Sequence, residues 1–216
     1  MKIKWLGHAS FLITSDTGVK LITDPYEPIF GMNYGPIDEF ADIVTISHGH
    51  GDHNNVAAVK GNPKVINKST PVEVKGVKIS GVDTFHDTSG GGERGPNVIY
   101  CIEVDGIKVC HLGDLGHMLS DQQAAAIGKV DVLMAPVGGN FTIDAEGADA
   151  VIEKLKPAVV MPMHFCNDRC PDFPVAGVDA FTMGKTNVTF TDTSEVEYRA
   201  GELPESTRII VLNPAN

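Results

Sequence analysis

The run Ser47-His48-Gly49-His50-Gly51-Asp52-His53 constrains this chain more than any other stretch. Four side chains able to hold a metal fall within six positions, spaced H-x-H-x-D-H. Imidazole nitrogen and carboxylate oxygen suit zinc and similar divalent ions. The two glycines are expected to let the backbone turn tightly and to clear space around the ligands. Upstream, residues 41–46 read as a buried strand. Downstream, residues 54–59 read as a helix opening on good N-cap residues. The run therefore sits on a loop at the C-terminal end of a strand, where α/β proteins place their chemistry.

A chain of 216 residues, 42% hydrophobic and 21% charged, has enough apolar material for one domain spanning 1–216. Its formal net charge of −11 disfavours a nucleic-acid partner held by a broad basic surface. The N-terminal residues lack the apolar core of a signal peptide, and no apolar run is long enough to span a membrane. A cytoplasmic protein with no membrane insertion is expected, with its four cysteines reduced. Nothing opposes a homo-oligomer.

Strand signals come early, at residues 3–6, 10–14 and 19–23, followed by a long loop at 25–36. Short strands follow at 42–46, 64–67, 71–74 and 78–82. Asp105-Gly106 marks a two-residue hairpin turn. Its register pairs Val104 with Ile107, Glu103 with Lys108, Ile102 with Val109 and Cys101 with Cys110, which places the apolar side chains on one face. Cys101 and Cys110 are read as packing residues. The second half alternates helices at 120–127, 145–155 and 175–183 with strands at 132–135 and 158–161. Strands at 187–191 and 195–198, and an edge strand near 208–212, finish the chain. Antiparallel strands followed by helices in each half suit an α/β (α+β) fold, a four-layer αββα sandwich.

Three more apolar strands end in a metal-ligand type: His86, Asp114 and His164. A consistent partition puts one ion on His48, His50 and His86, a second on Asp52, His53 and His164, and Asp114 between them. Two metals a few Å apart can share a water, lower its pKa and supply a hydroxide nucleophile.

The H-x-H-x-D-H run, followed by separate His, Gly-Asp and His elements, resembles the metallo-β-lactamase fold superfamily. Trp5-Leu6-Gly7-His8-Ala9-Ser10-Phe11 and Leu21-Ile22-Thr23-Asp24-Pro25 are similar to the small uncharacterised hydrolase branch. That branch is in turn similar to the ascorbate-phosphate lactonases and N-acyl-phosphatidylethanolamine phospholipases. The resemblance covers essentially the whole chain. It implies the αββα sandwich, a site at one edge between the sheets, and His48, His50, Asp52, His53, His86, Asp114 and His164 as metal ligands. Two divalent ions are expected, zinc first, with manganese, iron or nickel as alternatives, since N/O ligands do not demand zinc.

The expected enzyme is a metal-dependent hydrolase whose metal-bridging hydroxide cleaves an ester, lactone, thioester or phosphodiester of a small acidic or neutral substrate. Asp52, His117 and His8 are the catalytic candidates. His117 is read as a proton donor to the leaving group or as an ordinary loop histidine. His8 is read as a substrate contact, an orienting residue or a buried structural histidine. Asp24 is expected to orient a histidine of the run. His111 is expected to be structural, because alternation puts it on the apolar face of the hairpin. Residues 90–95 read as a mobile flap carrying Arg94 as an anion contact, or as a flexible surface loop. Cys166 and Cys170 suit loop packing or redox sensitivity better than a zinc site. Specificity is expected from the loops at 25–36 and 90–95, and around Phe165 and Phe173. An RNA- or DNA-processing nuclease and a diiron redox module are the alternatives; acidity weighs against the first and the intact His50 against the second. The lack of an export signal disfavours β-lactamase activity.

Overall fold

A computed structural model describes residues 1–29 and 31–216. The first sheet contains β1 (Lys2–Gly7), β2 (Ser10–Thr14), β3 (Lys20–Thr23), β4 (Ile43–Thr45), β5 (Lys64–Ile66) and, from far along the chain, β13 (Glu195–Glu197). Their order is β13-β1-β2-β3-β4-β5. The second sheet contains β6 (Val72–Val74), β7 (Val77–Phe85), β8 (Pro96–Val104), β9 (Ile107–His111), β10 (Val132–Pro136), β11 (Val159–Met163), β12 (Val188–Phe190) and β14 (Arg208–Val211). Their order is β12-β14-β11-β10-β9-β8-β7-β6.

Successive side chains of a strand point to opposite faces, and in the first sheet both faces are apolar. Ile3, Trp5, Phe11, Ile13, Leu21 and Ile43 enter the core between the sheets. Their neighbours Leu6, Leu12, Ile22 and Val44 form a second cluster on the outer face. Tyr26, Met32, Tyr34 and Ile37 cover that cluster. The outer layer over this sheet is thus built mainly from the segment after β3, and the four-layer sandwich has few helices.

Over the second sheet, α1 (Asp121–Ile127) begins at a capping box, in which the Ser120 hydroxyl accepts from the Gln123 N–H and the Gln123 side chain accepts from the Ser120 N–H. Helix α2 (Ala145–Leu155) is capped by Asp144 and buries Ala148, Val151 and Leu155. Those positions share one helical face at i, i+3 and i+7. The hairpin β8–β9 has the register expected from Asp105-Gly106, including Cys101 opposite Cys110.

Several expectations change. The helix expected after the histidine run is a single 3-10 turn at Val56–Ala58, and Asn55 makes no side-chain cap. The helix expected at 175–183 shrinks to α3 (Asp179–Thr182). The strand near 208–212 is interior, with β14 lying between β12 and β11. Antiparallel pairing is not the whole pattern either: β9–β10, β10–β11, β11–β14 and β14–β12 are parallel pairs, as are β3–β4 and β4–β5. Chain direction is set by the crossovers, which a strand's own residues do not encode. No helix among the described residues is long and apolar enough to cross a membrane.

Candidate metal centre

Each candidate follows the end of a strand. His8 follows β1, Asp24 follows β3, the histidine run follows β4, His86 follows β7, Asp114 follows β9 and His164 follows β11. The sandwich brings these ends together. Ligand atoms of His48, His50 and His86 lie within 4.8 Å of one another. So do those of His8, Asp52, His53 and His164. Asp114 reaches both groups: its Oδ2 is 3.2 Å from His86 Nε2, 3.2 Å from His53 Nε2 and 3.3 Å from His164 Nε2. The partition drawn from sequence therefore has a geometric counterpart, with His8 added to the second group.

Beneath the cluster, Asp24 is fully buried. One of its oxygens accepts from the Ser47 N–H at 2.8 Å. The other accepts from the Ser47 hydroxyl at 2.5 Å and lies 2.9 Å from His53 Nδ1. The Ser47 hydroxyl lies 2.9 Å from His48 Nδ1. Asp24 thus holds His53 directly and His48 through Ser47, leaving both Nε2 atoms turned towards Asp114. Ser47 had no role in the sequence reading; its place beside the run was the available signal. Asn97 was also missed. Its side-chain carbonyl accepts from the Asp114 N–H at 3.0 Å, while its amide donates to Thr84 Oγ1 and the Leu112 carbonyl. Nothing local to Asn97 marks it.

Three of these residues adopt left-handed backbone: His8 (φ 52°), Asp24 (φ 38°) and His164 (φ 52°). For non-glycine residues this costs about 1–2 kcal/mol each. Such strain clusters at sites that the surrounding fold over-determines.

The electrostatics follow from crowding. Burial raises the Asp114 carboxyl, but His164 and His53 outweigh it and hold the group well below the usual carboxylate range. Burial lowers His53, but Asp114 and Asp24 outweigh it and raise the imidazole well above its usual value. Burial, with His53 adding to it, pushes His48 down to about 3. Burial, with His164 adding to it, pushes His8 down to about 4 against the opposing pull of the Asp52 carboxylate 3.3 Å away.

The residues fit a metal. His8 Nε2, His53 Nε2 and Asp114 Oδ1 are buried with no hydrogen-bond partner among the described residues. Buried polar atoms are rarely left so, and several orphans at one point mark a missing cationic partner. The donors are imidazole and carboxylate, the set that suits divalent ions.

Other candidates lie elsewhere. His117 is not brought to the cluster, and both of its ring nitrogens are engaged by backbone: Nε2 accepts from the Phe85 N–H at 3.1 Å and Nδ1 lies 2.9 Å from the Met118 carbonyl. That removes the free proton a leaving group would need. His111 is buried, with Nε2 at 2.7 Å from the Ala9 carbonyl and Nδ1 accepting from the Gly113 N–H. It ties the two sheets together, as its place on the apolar face suggested. Cys166 and Cys170 pack in the loop after His164, the Cys170 sulfur accepting from the Asn167 N–H.

The glycines of the run do not act as expected. Neither Gly49 nor Gly51 has a positive φ, and an added Cβ would meet nothing within 4 Å. The space-demanding glycines near the cluster include Gly113, Gly116 and Gly138; a Cβ at Gly116 would collide with the backbone of His86 and Asp87. Gly49→Ala is therefore expected to leave the denaturation midpoint almost unmoved, whereas Gly116→Ala should cost about 1–3 kcal/mol or more. Chemical unfolding of the two variants checks this.

The loop after His86 is pinned. One oxygen of the Asp87 carboxylate accepts from the Ser89 N–H, the Ser89 hydroxyl and the Gly91 N–H. The other accepts from the N–H groups of Glu93 and Arg94. These donors outnumber the partners an ordinary carboxylate finds, and they hold Asp87 well below the usual carboxylate range, the Arg94 N–H foremost. The mobile flap is thus a fixed loop; a carboxylate followed by Ser and Gly was the sequence signal.

A family model described as "Beta-lactamase superfamily domain" matches residues 2–164. A metal-dependent hydrolase of Carboxydothermus hydrogenoformans is 33% identical, over 76% of this chain and 84% of that protein. One of Thermococcus onnurineus is 31% identical, over 76% and 84%. A crystal structure from Thermotoga maritima, described as a candidate Zn-dependent hydrolase of the metallo-β-lactamase superfamily, superposes with a TM-score of 0.80 at 38% identity, covering 98% of this chain and 97% of that one. With two sheets that bring an H-x-H-x-D-H run, two further histidines and an aspartate to one point, the chain belongs to the β-lactamase superfamily, as one of its metal-dependent hydrolases.

Proposed function

We propose that this hydrolase binds two divalent cations, one on His48, His50 and His86 and the other on Asp52, His53 and His164, with Asp114 serving both. The observation that carries this reading is the position of Asp114 Oδ2, within 3.3 Å of imidazoles from both groups. When bound, the ions supply Lewis acidity and an activated water near neutral pH. The reaction is hydrolysis of an ester, lactone, thioester or phosphodiester in a small substrate, carried out by residues 1–216 as one domain in the cytoplasm. Zinc is the preferred ion, in line with the description of the Thermotoga relative.

The protein's own residues have definite tasks here. Asp24 fixes the ring orientations of His53 and, through Ser47, of His48. His8, packed against His164 with the rings tilted by 44° and their centroids 4.3 Å apart, lies 3.3 Å from Asp52 Oδ2 and holds that carboxylate in place. Phe141 and Phe173, with centroids 5.6 Å apart, form an apolar wall that limits water at the reacting group. A cavity of about 280 Å³ above the cluster favours a small molecule over a polymer track.

Elemental analysis of the purified protein should find two equivalents of metal per chain. Chelation should abolish turnover across an ester, lactone, thioester and phosphodiester panel, and zinc should restore it. Asp52→Ala and His53→Ala should each eliminate turnover while leaving the far-UV spectrum intact. Undiminished turnover in these variants would sink the reading.

A further inference from the structure

We propose that the cavity above the metal centre selects substrates carrying a carboxylate or phosphate group remote from the scissile bond, and that Arg94 is the residue that holds it. This rests on the hydrolase reading for its scissile bond, but not for its anion site.

Arg94 lines the same cavity as His50, His86 and Asp114. Among the described residues lining that cavity, it alone carries a permanent positive charge. Its guanidinium makes no hydrogen bond among the described residues. The nearest carboxylate, Glu93 Oε2, is 3.7 Å away on a side chain that is 66% exposed, a contact of little strength. A planar fork of five donors is therefore left available, the geometry that grips carboxylate or phosphate. The protein's formal net charge of −11 repels anions at long range, so an anionic substrate needs a local cation of this kind.

The fork is also held in place. The guanidinium carbon lies 5.7 Å from the centre of the Phe141 ring, within cation–π range. The Arg94 N–H donates to Asp87 at 2.7 Å, and the next carbonyl, Gly95, accepts from the His86 N–H at 3.0 Å. The backbone on both sides of Arg94 is thereby tied to His86 and its neighbour. Distance from the anion site to the metal cluster is set by these bonds. Asp87 is accordingly a positioning residue. Phe141, Phe173 and Ile29 line the same cavity. The cavity is slightly smaller than the roughly 300–1,000 Å³ usual for ligand pockets. The substrate implied is compact, with a short apolar body, an anionic tail at Arg94 and its cleavable bond near His50 and Asp114.

Calorimetric binding of three matched probes to the metal-loaded protein tests this: 3-phenylpropionate, 2-phenylethyl phosphate and the neutral 3-phenylpropionamide. Wild-type protein should bind at least one anion about 10-fold or more tighter than the amide, and Arg94→Met should remove most of that preference. The anion with the larger Arg94-dependent preference identifies the tail. Asp87→Asn, which loses one of the two acceptor oxygens that gather the loop N–H groups, should reduce the preference with Arg94 still present. No preference in wild type, or a preference that survives Arg94→Met, overturns the proposal, the second result placing the anion on the metals. A preference undiminished in Asp87→Asn overturns the positioning role. Turnover without an Arg94-dependent preference would fail this proposal alone. Anion binding through Arg94 in a protein that hydrolyses nothing in the panel would fail the hydrolytic reading alone.

Discussion

Asp114→Ala is expected to reduce turnover by at least ~10³-fold, equivalent to about 4 kcal/mol of lost transition-state stabilisation. The carboxylate is 2% exposed and has imidazoles from both ligand groups within 3.3 Å. Its removal takes a negative charge from between the two imidazole groups that would hold the cations. Two cations held by those imidazoles would then lack that compensating charge in a buried site. Metal content should fall below two equivalents per chain, and elemental analysis beside steady-state kinetics checks both parts. Asp114→Asn keeps the shape and the bond from the backbone N–H to Asn97, so it separates loss of charge from loss of packing. Two equivalents of metal with wild-type turnover in both variants would remove Asp114 from the ligand set.

The second large effect is expected at Asp24, which touches no substrate. Asp24→Ala should weaken metal binding by about 10–100-fold, read by competition with a chelator, because His53 and His48 lose the group that orients them. It should also destabilise the metal-free protein by about 3–5 kcal/mol, since a buried ionic partner of His53 disappears. Alanine suffers further from the backbone at φ 38°, a conformation that asparagine tolerates better. Asp24→Asn should therefore recover part of the stability but little of the metal affinity, because its amide has one acceptor oxygen where Asp24 uses two, and cannot accept from the Ser47 N–H on one side and from the Ser47 hydroxyl and His53 on the other. Equal metal affinity in wild type and Asp24→Ala would show that the cluster orients itself.

What was legible in the sequence has a common character. The hairpin register followed from Asp105-Gly106 and from the alternation of Val104, Ile102 and their partners, all within a few residues. Helix α2 matched its expected limits because its cap and its apolar stripe are local. The candidate ligands were legible because each follows an apolar strand at short range. Misreadings arose where neighbours decide. Asn55 looked like a cap, yet the chain there bonds back to the Pro25 carbonyl, and no helix develops. Residues 90–95 looked loose by composition, yet their N–H groups are collected by Asp87. His117 looked free, yet the Phe85 and Met118 backbone occupy both of its nitrogens.

By itself the sequence determined the kinds of ligand, their places at strand ends and the turns beside them, because side-chain chemistry, alternation and turn geometry act over a few residues. Only the tertiary structure decided which ligands share a group, that Asp114 stands between the groups, that Asp24 commands two histidines, and that Arg94 faces the same cavity. Apart from the Asp24 contacts, which link neighbouring strand ends of the first sheet, those relations join strand ends from two different sheets. Their distances depend on how the sheets pack and cross, and no window of neighbouring residues contains that information.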